Sequence, residues 1–222
     1  MVTSGKNVAL LGASGLVGGF CLRAALADRA IGRVILFNRR ELSLGVDTRL
    51  THRTVSLDKL EGKDFDGVDD VFCALGTTIR KAGSQEAFRR VDLEYPLAAA
   101  QAALSSGVRQ FLLVSSVGAD ASARNFYLRT KGELEQELGR IGFSALHVFR
   151  PSLLLGRREE FRLGERVMIS LAPALNLFMM GGLRRYRAIS AATLGKAMVA
   201  AARRGGQGVM IYHYDEIVSL VS

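Results

Sequence analysis

A tyrosine and a lysine stand four positions apart in a segment with helical spacing. Tyr127 and Lys131 would share one helix face, about 6 Å apart along the axis. A phenol can give or take a proton, and a lysine charge at that distance would stabilise the phenolate. A predicted strand precedes this segment, and Ser116 directly follows that strand. The Ser116 hydroxyl could bind a carbonyl oxygen, and Ser115 is the second candidate for this role. These residues predict acid–base chemistry on a carbonyl group.

A glycine-rich loop near the N-terminus predicts a dinucleotide site. Its sequence, Gly12-Ala13-Ser14-Gly15-Leu16-Val17-Gly18, follows a predicted strand and opens a predicted helix, the context that the motif requires. Gly12 would permit the tight turn, Gly15 the approach of the pyrophosphate, and Gly18 the close packing of helix on strand. Free amide groups and the positive end of the helix dipole would then face the phosphates.

Two arginines follow the second predicted strand, where an NAD site usually carries an acid for the ribose 2′-hydroxyl. Asn38 stands in that place, and Arg39 and Arg40 come next. Guanidinium groups bind phosphate through paired hydrogen bonds. We therefore predict NADPH as the cofactor, with its 2′-phosphate on the two arginines. Asp58, after the third predicted strand, is a candidate for the adenine amino group or, equally, a loop acid that caps the next segment.

The elements that must position these residues alternate along the chain as apolar runs and amphipathic segments. This alternation predicts an α/β fold of the Rossmann type, a doubly wound parallel sheet with helices on both faces. The predicted strands are Asn7–Leu11, Arg33–Phe37, Arg53–Leu57, Asp70–Leu75, Gln110–Ser115, Ala145–Phe149 and Gly208–His213. The predicted helices are Gly15–Asp28, Ser84–Gly107 with a break at Pro96, Phe126–Gly139, Ser190–Arg203 and Tyr214–Leu220. We expect residues 1–222 to form a single domain in which residues 153–187 cover the substrate.

Composition narrows the class of protein further. The net charge is +9, but the arginines are scattered, which favours a solvated basic surface over a nucleic-acid interface. The apolar segment Val167–Leu183 is shorter than the roughly 20 apolar residues of a membrane-spanning helix. Its alternatives are a helix on a membrane surface, a lid over the site or a dimer surface. The two cysteines, Cys21 and Cys73, lack the spacing of metal ligands, so we expect no metal site and a reduced, cytoplasmic protein. We expect the protein to be a monomer or a homodimer. His147 is expected to be a hydrogen-bonded core residue.

The motifs together resemble the short-chain dehydrogenase/reductase superfamily and, within it, the atypical, Tat-interacting-protein-like oxidoreductases. The resemblance covers most of the chain. Its further runs are Phe72-Cys73-Ala74-Leu75-Gly76-Thr77-Thr78, Lys81-Ala82-Gly83, Val91-Asp92, Ser115-Ser116-Val117-Gly118-Ala119-Asp120, Lys131-Gly132-Glu133 and Phe149-Arg150-Pro151. The sequence departs from the superfamily after the fourth strand, where Leu-Gly-Thr-Thr replaces Asn-Asn-Ala-Gly.

The resemblance implies a role for each matched position. Tyr127 would be the proton donor or acceptor, Ser116 would bind the substrate carbonyl, and Lys131 would bind the nicotinamide ribose. The cofactor would be contacted by Ser14, Gly15, Leu16 and Val17 at the pyrophosphate, Leu75 and Gly76 at the adenosine ribose and phosphates, Leu154 at the nicotinamide and Arg162 at the phosphates. These roles predict an NADPH-dependent oxidoreductase with a small carbonyl or alkene substrate. The alternatives are a non-catalytic NADPH-binding redox sensor or assembly protein and, less favoured, a sugar-nucleotide epimerase.

Overall fold

Seven strands form a parallel sheet in the structure, a computed structural model that describes residues 5–40, 42, 45–156 and 179–222. The strands of the chain are β1 (Lys6–Leu11), β2 (Ile31–Asn38), β3 (Leu50–Thr54), β4 (Asp70–Cys73), β5 (Gln110–Val114), β6 (Ala145–Phe149), β7 (Leu154–Leu155), β8 (Ile189–Ser190) and β9 (Gly208–Tyr212). The sheet order is β3-β2-β1-β4-β5-β6-β9, and β7 pairs separately with β8. The first six strands thus follow the order of a dinucleotide-binding Rossmann fold, which confirms the predicted fold class.

Helices cover both faces of the sheet because successive strand residues point to opposite sides. The helices are α1 (Leu16–Ala27), α2 (Ile79–Ala82), α3 (Gln85–Arg89), α4 (Tyr95–Ser105), α5 (Phe126–Ile141), α6 (Ala191–Arg204) and α7 (Tyr214–Ser219). Val8 and Leu10 of β1 are buried with α1 and α6, whereas Ala9 and Leu11 are buried with α4 and α5. Within the described residues, no helix is both long and apolar enough to cross a membrane.

The third strand differs from its prediction. The sequence favoured Arg53–Leu57, but the structure has Leu50–Thr54, in register with β2 from Val34 to Asn38. This strand lies at the edge of the sheet and is only half-buried, so its pairing does not require an apolar run. Leu57 is buried in the core from the loop that follows, and it was this burial that the apolar pattern reflected.

The predicted helix Ser84–Gly107 contains a different irregularity from the one expected. Between α3 and α4 the chain forms a π-helical turn, Arg90–Glu94, so the distortion precedes Pro96 instead of breaking the helix there. A proline has no amide hydrogen and its ring collides with the carbonyl four residues earlier, here that of Asp92. The wider turn, in which the Tyr95 amide bonds to the Arg90 carbonyl, accommodates that ring.

A row of polar side chains crosses the sheet, beginning near the amino ends of its central strands. Lys6 Nζ lies 2.8 Å from Asp70, which accepts a hydrogen bond of 2.9 Å from the side-chain amide of Gln110. The amide oxygen of Gln110 lies 3.1 Å from His147 Nε2, and His147 Nδ1 lies 2.9 Å from the Tyr212 hydroxyl. This polar row links β1, β4, β5, β6 and β9 in their order in the sheet. It confirms that His147 is a hydrogen-bonded core residue.

Candidate functional site

The loops that carry the predicted site residues meet at one edge of the sheet. The glycine loop follows β1, the two arginines follow β2, residues 75–78 follow β4, and Ser116 follows β5. All four strands are parallel, so their carboxyl ends lie side by side. In open α/β sheets this edge, around the point where strand order reverses, is where ligands bind. The fold therefore places these candidate residues around one crevice.

The glycine loop has the geometry that its sequence predicts. Gly12 has φ of +87°, and a Cβ there would lie 2.6 Å from the carbonyl oxygen of Ala74. A Cβ on Gly18 would overlap the Gly12 carbonyl, so α1 approaches the loop to a distance that only glycine allows. Ser14 and Gly15 are exposed, whereas the Val17 side chain is buried and leaves only its main chain to face a ligand.

The first turn of α1 offers amide groups to an anion. Its first i to i−4 hydrogen bond is donated by Gly19 to Gly15, so the amides of Leu16, Val17 and Gly18 have no partner of this kind. These amides and the helix dipole favour a phosphate group at the loop. A Cβ on Gly15 would have one close neighbour, the Gly12 carbonyl oxygen at 3.2 Å, and Gly15 is exposed, so there is room for a ligand beside its main chain.

The carboxyl end of β2, described as far as Arg40, presents hydrogen-bond donors. Arg39 and Arg40 are exposed, and the buried side-chain nitrogen of Asn38 has no hydrogen-bond partner among the residues that the structure describes. Asp58 lies four residues beyond β3 and is exposed, and its carboxylate accepts a hydrogen bond of 2.6 Å from Ser56. That bond lowers the pKa of Asp58, with smaller contributions from its own backbone amide, Lys59 and Arg90. An ionised Asp58 is suited to accept a bond from an amino group, and it also closes its own turn.

A buried ion pair lies beneath the loop that follows β4. Lys131 Nζ is 2.8 Å from Asp92, and the two side chains are 5% and 1% exposed. A Cβ on Gly76 would lie 3.4 Å from Asp92 Oδ1 and 3.9 Å from Lys131 Nζ, so Gly76 sits directly against the pair. Burial alone would lower the pKa of Lys131, but Asp92, Tyr127 and weaker neighbours outweigh it and the pKa is raised. Lys131 is therefore charged at neutral pH.

Tyr127 lies in the first turn of α5, one helical turn before Lys131. Asn125 caps this helix by accepting a hydrogen bond of 3.1 Å from the Leu128 amide. Tyr127 is half-buried, with its ring centre 5.7 Å from that of Phe88. Gly132 has no room for a side chain, because a Cβ there would overlap the backbone of Asp120. The loop after β5 and the catalytic candidates on α5 are thus held together through a glycine to which the sequence alone assigned no role.

The two serines after β5 have different surroundings. The Ser115 hydroxyl donates to Glu135, which also accepts bonds of 3.1 Å from Arg150 Nε to each of its oxygens. Ser115 is buried, whereas Ser116 is half-buried and its hydroxyl makes a 3.3 Å bond to the adjacent Val117 carbonyl. Ser116 is the serine whose hydroxyl is the less constrained. Glu135, which fixes Ser115, gave no signal in the sequence.

The predicted substrate cover is described at its two ends. Leu154, in β7, is half-buried, and a Cβ on the nearby Gly156 would lie 2.8 Å from Leu16 Cδ1. The first end of the cover therefore packs on the start of α1. At the other end, Arg184 forms hydrogen bonds of 2.6–3.0 Å to Asp215 at the start of α7. Arg162, and most of Val167–Leu183, lie outside the described residues.

These features define a class of protein. Among the described residues, a glycine cradle, unpaired amides at the start of α1 and an unsatisfied donor on Asn38 fit a dinucleotide, and the strand order is that of dinucleotide-binding domains. The chain is an NAD(P)-binding protein with a Rossmann-type fold. Residues 12–146 match the model of the NAD(P)H-binding family, and the chain belongs to this family.

Relatives confirm the predicted group. Protein HTATIP2 of Rattus norvegicus is 41% identical over 164 residues, which span 72% of this chain and 67% of the relative. The mitochondrial protein FMP52 of Candida albicans is 31% identical over 96% of this chain and 97% of its own. The resemblance to the Tat-interacting-protein-like group is thus confirmed by relatives that align over most of the chain.

Solved structures confirm the fold. MoeE5 in complex with UDP-glucose and NAD superposes with a TM-score of 0.69 at 17% identity, covering 96% of this chain and 80% of that one. The UDP-N-acetylglucosamine 4-epimerase of Methanobrevibacter ruminantium gives a TM-score of 0.71 at 16% identity, covering 95% and 77%. At this identity the likeness concerns the fold alone.

Proposed function

We propose that the protein is an NADPH-dependent oxidoreductase that reduces a small carbonyl or activated alkene substrate. The observation that carries this proposal is the position of Lys131. Its charged nitrogen is buried against Gly76 at the carboxyl edge of the sheet, one helical turn from the half-buried Tyr127. A proton donor and a fixed positive charge therefore stand beside the crevice where the fold binds a dinucleotide.

The roles of the side chains follow from their surroundings. When bound, the cofactor supplies a hydride to the substrate carbon. Ser116 donates a hydrogen bond to the carbonyl oxygen, and Tyr127 transfers its hydroxyl proton to that oxygen as the alcohol forms. In this proposal the Lys131 charge stabilises the phenolate that Tyr127 becomes, and the Lys131 ammonium binds the nicotinamide ribose. Ser115 does not take the role of Ser116 because its hydroxyl is committed to Glu135.

The preference for NADPH is supported by the end of β2. An acid that would bind a free 2′-hydroxyl is replaced by Asn38, and two exposed guanidinium groups follow it. Arginine matches a phosphate better than any other side chain because its planar fork forms two parallel hydrogen bonds.

The two cysteines, Cys21 and Cys73, are free and buried, which is consistent with the cytoplasmic setting that we propose.

A panel of aldehydes, ketones and enones with NADPH tests the proposal, with Tyr127→Phe beside the wild type. We expect turnover to fall at least about 100-fold in this variant, since general acid catalysis contributes 10²–10⁴-fold. Tyr212→Phe is the matched control, because Tyr212 is also half-buried but its hydroxyl bonds to His147 in the polar row. If NADPH binds tightly and no substrate shows turnover that depends on Tyr127, the protein is not an enzyme of this kind, and cofactor sensing replaces catalysis as its function.

A further inference from the structure

One carboxylate connects two parts of the site. Asp92 Oδ1 is 2.8 Å from Lys131 Nζ, and Asp92 Oδ2 accepts a hydrogen bond of 2.8 Å from the Thr77 amide. Thr77 belongs to the loop after β4, directly beside Gly76, and Lys131 belongs to α5. The Asp92 side chain is 1% exposed, so both contacts are made out of reach of solvent.

Asp92 lies within the π turn that joins α3 to α4. The turn spans Arg90–Glu94 and precedes Pro96, whose ring an undistorted helix would press against the Asp92 carbonyl. Such single turns recur at functional sites. Within the described part of the chain, three titratable groups face Lys131: Asp92 from the π turn, Tyr127 from its own helix and Cys73 from β4. Burial raises the pKa of the Cys73 thiol to about 11, so Asp92 is the group that supplies a carboxylate charge.

We propose that Asp92 is a positioning residue, whose carboxylate holds the Lys131 ammonium and the loop after β4 in a single fixed arrangement toward the cofactor. This inference rests on the proposed function in that Lys131 is taken to bind the nicotinamide ribose. A buried ammonium without an anion is strongly unfavourable, and removing one partner of a buried pair leaves such a charge behind. Asp92 therefore determines both where the Lys131 nitrogen lies and that it is charged.

Asp92→Asn separates the charge of this residue from its shape. The amide oxygen can still accept from Thr77, whereas Lys131 loses its counter-charge. Asp70→Asn is the matched control, because Asp70 is 2% exposed and also lies 2.8 Å from a lysine, Lys6, but at the other end of β4. We expect Asp92→Asn to weaken NADPH binding about tenfold, the loss of one charged hydrogen bond. Asp70→Asn should leave NADPH affinity unchanged.

A double-mutant cycle tests whether Asp92 acts through Lys131. In a Lys131→Met background, Asp92→Asn should cause no further loss of NADPH affinity. The double variant retains no charge at the pair, so it should also melt at a higher temperature than Asp92→Asn alone. The proposal is overturned if Asp92→Asn binds NADPH as the wild type does, or if its effect is undiminished beside Lys131→Met.

Melting without cofactor keeps this test independent of the proposed function. In Asp92→Asn, burial without a counter-charge lowers the pKa of Lys131 in the folded state, so the unfolded state binds more protons. The melting temperature of this variant, relative to wild type, should therefore rise between pH 7 and pH 9.5. Asp70→Asn should show no such rise, because Lys6 is 37% exposed and stays hydrated. An unchanged pH dependence in Asp92→Asn overturns the coupling, whereas absence of NADPH binding by the wild type overturns only the proposed function.

Discussion

The Cα of Gly18 rests against the carbonyl of Gly12, so closely that the two residues fix α1 onto the end of β1. The neighbouring Gly19 differs, because a Cβ there would lie at an ordinary 3.5 Å from the Ala13 carbonyl. This pair of adjacent glycines in one helix separates the effect of close packing from the helix propensity of alanine.

Gly18→Ala should lower the free energy of unfolding by about 1–3 kcal/mol, since an added methyl group forces backbone atoms apart. It should also weaken NADPH binding, because the amides of the first turn move with the helix. Gly19→Ala should be neutral or stabilising by up to about 1 kcal/mol, as expected for alanine in a helix. Urea denaturation and cofactor titration of both variants provide the measurement. Equal losses of stability in the two would contradict the geometry.

The same contrast occurs in α5. Gly132 packs against the backbone of Asp120, whereas Gly139, seven residues later, has open space around its Cα. Gly132→Ala should therefore destabilise the protein by about 1–3 kcal/mol and displace Tyr127 and Lys131 from the loop after β5. Gly139→Ala should stabilise the helix slightly. Thermal unfolding measures both, and a Gly132→Ala variant as stable as wild type would show that α5 can withdraw from the loop.

Removal of the two arginines after β2 tests the cofactor preference. Arg39→Ala and Arg40→Ala should each weaken NADPH binding about tenfold and leave NADH binding unchanged, because only NADPH carries the 2′-phosphate. Arg33→Ala removes the same charge from the other half of β2 and controls for the general field of the protein. A wild-type dissociation constant for NADH equal to or below that for NADPH would refute the preference.

Acid should destabilise the protein partly through His147. Burial, with a smaller contribution from Lys6, lowers the pKa of His147 to about 4, below its ordinary value of 6.5. The unfolded state therefore binds more protons between these values, so stability is present above pH 6.5 and is lost as the pH falls toward 4. At pH 4.5 the loss amounts to about 2.5 kcal/mol.

His147→Gln should remove this contribution, since an amide can still meet Tyr212 and Gln110 but does not titrate. The free energy of unfolding of wild type should then fall more steeply between pH 7.5 and pH 4.5 than that of His147→Gln. Urea denaturation at the two pH values makes the comparison. Parallel pH profiles would mean that His147 does not control the acid sensitivity.

Local patterns were sufficient to predict the fold and the glycine loop. The strands β1, β5 and β6 are largely buried and appear in the sequence as mainly apolar runs. The edge strand β3 was misplaced because its half-buried residues lack such a run. The bounds of such an edge strand are determined by its pairing with the neighbouring strand, and local amino-acid composition does not predict that pairing.

Only part of the candidate site could be inferred from the sequence, for a related reason. Tyr127 and Lys131 follow from a spacing of four on one helix, which is a local relation. Asp92 lies 39 positions before Lys131 and meets it through a π turn, and Glu135 meets Ser115 across two elements. Such contacts depend on how the elements pack, so no pattern within either segment could indicate them.

The polar row from Lys6 to Tyr212 also bears on how the chain selects its native pairing. A slip of one residue between parallel strands sends every side chain to the opposite face. In this sheet a slip at β4, β5 or β6 would bury the side chain of Asp70, Gln110 or His147 in an apolar layer without its hydrogen-bond partner. Misaligned sheets would therefore lose hydrogen bonds of buried polar groups at several neighbouring strands at once, which favours the native register.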